Sequence, residues 1–206
     1  MAKKRVTSKF RQTRSTNTKQ KIIEAAEDFF CQNGFYGSSV QRLAAAANVS
    51  IGSFYFYFKD KDELLLEVYK KQSERFVQTI EQELGKIEQY QQNRKAWLRE
   101  FIQNVLSAYG NSGKLRFELK ALNYENPQIA LQRNLIRERT LALMLESIER
   151  CPMINDLKIR HPRTALLITI DLMDSVYDRL SCENPTGDRE DILEEYVDAV
   201  YKYLLL

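Results

Sequence analysis

Apolar residues recur along this chain at intervals of three and four, the spacing of helices that bury one face. In the stretch K-Q-K-I-I-E-A-A-E-D-F-F-C-Q-N, Ile22, Ala25 or Ala26, Phe29 and Phe30 share a side, with Thr18 at the N-cap position and Gly34 as the stop. Ser38 opens a capping box, S-S-V-Q, into a second helix whose Val40, Leu43, Ala44 and Ala47 form a stripe and which ends at Asn48. Ser50 caps a third helix of about two turns, and Asp60 to Glu63, a D-x-x-E box, starts a fourth over about 61–85. Helical periodicity returns at 95–109, 114–124, 127–150, 163–181 and 188–205, between polar, Gly- or Pro-bearing breaks such as G-N-S-G and C-E-N-P-T-G. The pattern predicts an all-α fold, with short helices first and a longer helical bundle after them.

The third helix carries five consecutive aromatics, Phe54 to Phe58. On a helical wheel Ile51, Phe54 and Phe58 share one face, expected to be buried, while Gly52, Ser53, Phe56 and Tyr57 lie on the other and are displayed. Two short helices separated by three or four residues, with a third packed across them, form a helix-turn-helix unit whose second helix can enter a DNA major groove. Gly52 and Ser53 permit close approach, and Phe56 can meet a thymine methyl. The hydroxyls of Tyr55 and Tyr57 can donate to phosphate oxygens, and Lys61, in the first turn of the next helix, suits a phosphate.

Charge sharpens this picture. Of 31 basic residues, Lys3, Lys4, Arg5, Lys9, Arg11, Arg14, Lys19 and Lys21 precede the first acid, Glu24, and the remainder of the chain is net acidic because it holds all 28 carboxylates. A polyanionic partner at the N-terminal end is expected. Low Gly and Pro content agrees with helix, and the absence of a long apolar run or signal-like core predicts a cytoplasmic protein. Cys31, Cys151 and Cys182 lack C-x-x-C spacing and read as reduced thiols, and the single His161 reads as a loop or cap residue; no metal or cofactor is expected.

The stretch from T-K-Q-K-I-I-E-A-A-E-D-F-F at residue 18 through V-S-I-G-S-F-Y-F-Y-F-K-D-K-D-E-L-L resembles the DNA-binding domain of TetR-family transcriptional regulators over residues 18–65. The resemblance rests on the A-A pair and aromatic of the first helix, Gly34-Phe35, Ser39-Val40, V-S-x-G-x-x-Y-x-Y-F and K-x-K-x-x-L. It implies a basic flexible arm over 1–17, a helix-turn-helix domain over 18–60, and a ligand-binding and dimerisation domain over 61–206. It also implies a homodimeric repressor, released from an inverted-repeat operator in double-stranded DNA by a largely apolar small molecule. By the same resemblance, Thr18 and Ser39 match backbone contacts, Arg42 lies on the outer part of the second helix, Gly52, Ser53 and Phe56 match base-reading positions, and Tyr55, Tyr57 and Lys61 match phosphate contacts; Ser50 completes the set as the cap. Asn48 stands where Gly is frequent, which left-handed backbone angles tolerate. Ile51 replaces a frequent Lys or Pro and is expected to join Phe54 in the core.

In the C-terminal part, Leu166, Ile170, Met173, Tyr177 and Leu180 alternate at four and three, as do Leu193, Val197, Val200 and Leu204. With the resemblance, these two helices are expected to pair with their mates in a dimer interface; intramolecular core is the alternative. Trp97, Phe101, Val105 and Tyr109, with Phe117, Leu122 and Met144, are the expected pocket lining, and Asp171 is a candidate handle for a cationic ligand. A helical adaptor or a bundle enzyme is the competing function, and no nucleophile elbow, phosphate loop or metal spacing supports the enzyme.

Overall fold

The computed structural model describes residues 3–87, 93–108, 113–150, 159–181 and 187–205, and among these the chain forms nine helices. They are α1 (Lys3–Asn33), α2 (Val40–Ala46), α3 (Ile51–Tyr57), α4 (Lys61–Leu84), α5 (Arg94–Ala108), α6 (Gly113–Glu125), α7 (Pro127–Arg150), α8 (Pro162–Ser181) and α9 (Arg189–Leu205). From α2 onward the bounds follow the periodic segments to within a residue or two. No helix among the described residues is long and apolar enough to cross a membrane.

The first helix departs from expectation. The arm before Thr18 is helical and continuous with the rest of α1, so Thr18 lies inside the helix and is not its cap. Residues 3–33 contain neither Gly nor Pro. Nucleation is the costly step, so a helix anchored by a packed segment propagates into the Lys- and Arg-rich arm despite its Ser and Thr residues, each of which costs only a fraction of a turn's nucleation.

By packing, the chain divides into two compact units, one of Met1–Gln72 with Asn111–Gln132 and the other of Ser73–Gly110 with Arg133–Leu206. In the first, Ile22, Ala26 and Phe30 of α1, Leu43, Ala44 and Ala47 around α2, and Phe54, Phe58, Leu64, Leu65 and Val68 close a single core. Leu115 and Leu122 of α6 and Ile129 of α7 complete it, although they lie far along the sequence. Burying each large side chain contributes about 1.5–3 kcal/mol relative to exposure. Polar ties tighten α1 against α4: Lys19 reaches Glu67 at 3.2 Å, and Lys71 reaches Glu27 at 3.5 Å and Glu24 at 3.6 Å. Hydrogen bonds from Lys70 and then Lys19 outweigh partial burial and hold the Glu67 carboxyl below the usual value.

The second unit has its own core, in which Phe101, Ile102 and Val105 of α5 meet Leu166 and Met173 of α8 and Leu193, Tyr196, Val197 and Val200 of α9. The Tyr196 hydroxyl donates to the Thr169 carbonyl at 3.0 Å, and burial pushes its phenol well above the ordinary value. Charges seal the outside: Lys95 pairs with Asp198, and Arg99 with both Glu190 and Glu194. Between α7 and α8, Arg137 meets Asp171 at 2.6 Å and Arg163 meets Glu138 at 2.8 Å.

This core corrects the expected dimer seam. Leu166, Met173, Tyr177, Leu193, Val197 and Val200 are all buried within one chain, and Ile170 and Leu204 are partly buried against the same cluster. The four-three spacing is therefore satisfied by α8 and α9 packing on each other and on α5, the intramolecular alternative. Among the described residues, the large apolar side chains left exposed on these helices are Ile168, Leu172 and Tyr203.

Candidate nucleic-acid interface

Local chemistry sets the recognition unit. The cap of α2 is Ser39, one residue later than expected: its side chain accepts from the Arg42 N–H at 3.3 Å, while the Ser38 hydroxyl donates to the Phe35 carbonyl at 2.6 Å. Asn48 holds φ at +51°, the left-handed turn that separates α2 from α3. Ser50 caps α3, accepting from the Ser53 N–H at 3.0 Å, and its own hydroxyl donates to Ser53 Oγ at 3.1 Å. The Ser53 O–H is left to donate elsewhere. At the start of α4, Asp60 accepts from the Glu63 N–H at 2.9 Å and Glu63 reaches back to the Lys59 N–H at 2.6 Å, so the box closes one residue earlier than the usual reciprocal pair.

The helix these caps define is short, and its two faces differ sharply. Phe54 is fully buried, whereas Phe56 is 75% exposed and Tyr55 55% exposed. Tyr57 is half-buried and stands edge-on to Phe56, with ring centroids 4.9 Å apart. Ile51, expected in the core, is 46% exposed and belongs with Gly52, Tyr55 and Phe56 on the displayed face. The reason is that α3 ends at Tyr57: Phe58 is its C-cap, in extended backbone with φ −136°, and reaches the core from outside the helix. A wheel that counts Phe58 as helical places Ile51 on the wrong side. The shortness of the segment between two caps was the available signal.

Two residues expected at DNA already have partners within the chain, Lys61 half-buried and Arg42 exposed. Lys61 Nζ donates to the carbonyls of Phe35 at 3.2 Å and Ser38 at 3.4 Å, and lies 4.2 Å from the centre of the Phe35 ring. The first turn of α4 also carries Asp62 and Glu63, which oppose a phosphate there. Arg42 donates to the Gly37 carbonyl at 2.6 Å and stacks its guanidinium 4.9 Å from the Phe29 ring centre. Thr18 and Ser39 are half-buried, on α1 and at the α2 start.

The expected pocket residues are not one group. Trp97, Phe101, Val105 and Met144 belong to the core of the second unit, with Trp97 donating to the Glu83 carbonyl at 3.3 Å. Leu122 is in the core of the first unit and Phe117 is exposed, while Tyr109, like Cys151 and Cys182, lies outside the described residues. Asp171 is taken by Arg137, whose hydrogen bond holds its carboxyl below the ordinary value. Among the described residues no cluster of His, Cys, Asp and Glu could hold a metal ion.

Residues 22–68, which span α1 from Ile22 through Val68 of α4, match the family of bacterial regulatory proteins called the tetR family. Over 63 residues, 31% of this chain and 32% of the relative, the sequence is 33% identical to the fatty acid metabolism regulator protein of Bacillus subtilis. Over 123 residues, 59% of this chain and 55% of the relative, it is 31% identical to the HTH-type transcriptional regulator YttP of the same organism. The matches thus span from about a third to about half of these curated relatives. In three dimensions the chain is similar to a TetR-family transcriptional regulator from Mesorhizobium loti, with TM-score 0.78, 19% identity, and coverage of 94% of this chain and 99% of that one. With α1 packed against the two short helices α2 and α3, the segment over residues 22–68 carries the match to the tetR family of bacterial regulatory proteins, and the chain as a whole shares the fold of the Mesorhizobium loti structure.

Proposed function

We propose that this protein is a cytoplasmic, sequence-specific DNA-binding transcriptional regulator, a repressor released from its operator by a small molecule, acting by binding and not by catalysis. The observation that carries the reading is α3: a capped seven-residue helix with Phe54 buried and Ile51, Gly52, Tyr55 and Phe56 outward. A solvent-exposed Phe flanked by Tyr, Gly and Ser contributes little to folding, yet it fits a major groove whose floor presents thymine methyls and whose rims carry phosphate oxygens. In this reading Ser53 and Phe56 read bases, Gly52 lets the backbone approach, and Tyr55, Tyr57, Thr18 and Ser39 face phosphates. Cations of the N-terminal helix add affinity that falls with salt.

The homodimer forms through the outer sides of α8 and α9, where Ile168, Leu172 and Tyr203 are exposed, because the inner seam is already filled. The effector is largely apolar and enters the core of the second unit, near Trp97, Phe101, Val105 and Met144. A cation directed at Asp171 would have to displace Arg137. Selection of binding sites from random duplexes tests the reading: the wild-type chain should return an inverted repeat, and Phe56→Ala a site with relaxed preference at particular positions. Retention of duplexes without sequence preference would sink it.

A further inference from the structure

The α1–α2 turn, residues 34–38, is held from both sides by charge. Its carbonyls receive Lys61 and Arg42, as described. Its N–H groups face a carboxylate from a distant part of the chain: Glu118 of α6 accepts from the Phe35 N–H, in a short contact, and from the Tyr36 N–H at 3.4 Å. About two α6 turns further on, Glu125 accepts from the Tyr36 hydroxyl at 2.7 Å. Gly34 adds an independent sign of fit. It sits at φ +78°, and a Cβ there would fall under 3.0 Å from the Glu118 carboxyl, so the carboxylate occupies space that only a glycine leaves open.

We propose that Glu118 is a positioning residue for DNA reading: by gripping the turn's N–H groups it fixes where Ser39 caps α2, and so holds α2 and α3 at the angle the groove requires. This rests on the DNA-binding reading. The turn has Glu118 on its donors and Lys61 and Arg42 on its acceptors, and α2 begins one residue after it. Removing the acceptor leaves two backbone N–H groups to find water, and the turn loses the α6 restraint on its backbone, the Glu125 contact reaching only the Tyr36 side chain. Glu118 touches no DNA in this scheme. Its loss should lower affinity without changing which bases are preferred and without changing the number of phosphates neutralised.

The test compares Glu118→Leu, which keeps bulk and removes the acceptors, with Glu118→Gln, which restores one acceptor, in the full chain and on the operator selected by the wild type. Glu118→Leu should lose about tenfold or more in affinity at an unchanged salt slope and base preference, and Glu118→Gln should recover most of it. Amide hydrogen exchange supplies a readout that does not involve DNA: the Phe35 N–H should be protected in the wild type, exposed in the Leu variant and protected again in the Gln variant. Wild-type affinity in the Leu variant, equal losses in both variants, or a rapidly exchanging Phe35 amide in the wild type would each overturn the proposal; the last needs no variant to fold. If the wild type selects no operator, the DNA reading fails, and the exchange data still judge the grip of Glu118 on the turn.

Discussion

The two units solve the problem of exposed apolar surface in opposite ways. In the first, Phe54 and Phe56 stand two residues apart on one short helix, one sealed and the other largely in solvent, with caps at both ends that fix which is which. In the second, the four-three stripes of α8 and α9 face inward, and the rim is laced by Arg99, Lys95, Arg137 and Arg163 with their carboxylates. The contrast teaches where function becomes readable. Folding accounts for the inner stripes of the second unit, whereas α3 of the first displays aromatic residues that folding would have buried or replaced, and such local conflicts point to binding.

The comparison can be broken most forcefully at the aromatic pair. Phe54→Ala should destabilise the first unit by about 3–5 kcal/mol, while Phe56→Ala should change stability by about 0.5 kcal/mol or less. Urea unfolding followed by circular dichroism would separate them, and equal losses would mean that Phe56 is structural. On DNA the order reverses. Ser53→Ala and Phe56→Ala should each relax discrimination by about 1–3 kcal/mol at particular operator positions, whereas Phe54→Ala, where it folds, should weaken all sites alike. Competition binding with singly substituted operators checks this.

The smallest effect concerns the second unit's rim and is one of pH. Asp171 is held below its ordinary value of 3.8 by the Arg137 hydrogen bond, and Asp198 by that of Lys95. A carboxyl whose folded value is depressed contributes stability that is fully present above the unfolded value and is lost as pH falls through the folded one. The melting temperature should therefore be flat in this respect above pH 3.8 and drop below it, and Arg137→Ala should remove part of that drop. A variant with an unaltered acid limb would show that the pair contributes nothing.

Most of the helices were legible because their apolar spacing and caps agree: Ser50, Asp60 and Asn48 each do what their chemistry suggests. The displayed face of α3 was partly legible: Gly52 and Phe56 are outward as expected, Ser53 and Tyr57 only half so, and Ile51 and Tyr55 join the face without the wheel having placed them there, because a seven-residue helix gives too few turns for a wheel to fix its faces. Three things were not legible. The helical arm before Thr18 has no apolar stripe to announce it and forms by extension from α1. The engagement of Lys61 and Arg42 within the chain depends on carbonyls of residues 35–38 that no side-chain pattern encodes. The role of Glu118 joins positions more than eighty residues apart, and periodicity is blind to such a pairing. In the second unit, spacing correctly found the buried stripes of α8 and α9, but spacing cannot say whether a stripe meets its own chain or a copy.

The membership of α6 in the first unit bears on how far this DNA reader could be transplanted. A fragment ending at Gln72 would contain every residue of the helix-turn-helix and yet lack Leu115, Leu122 and Ile129, leaving Ile22, Phe30 and Leu64 with an open side. Grafting the first 72 residues onto another regulator would therefore import a surface that demands a matching α6 from the host. The portable module is discontinuous: residues 1–72 and 111–132 are two separate lengths of chain that would have to be exchanged together, while the stretch between them belongs to the other unit.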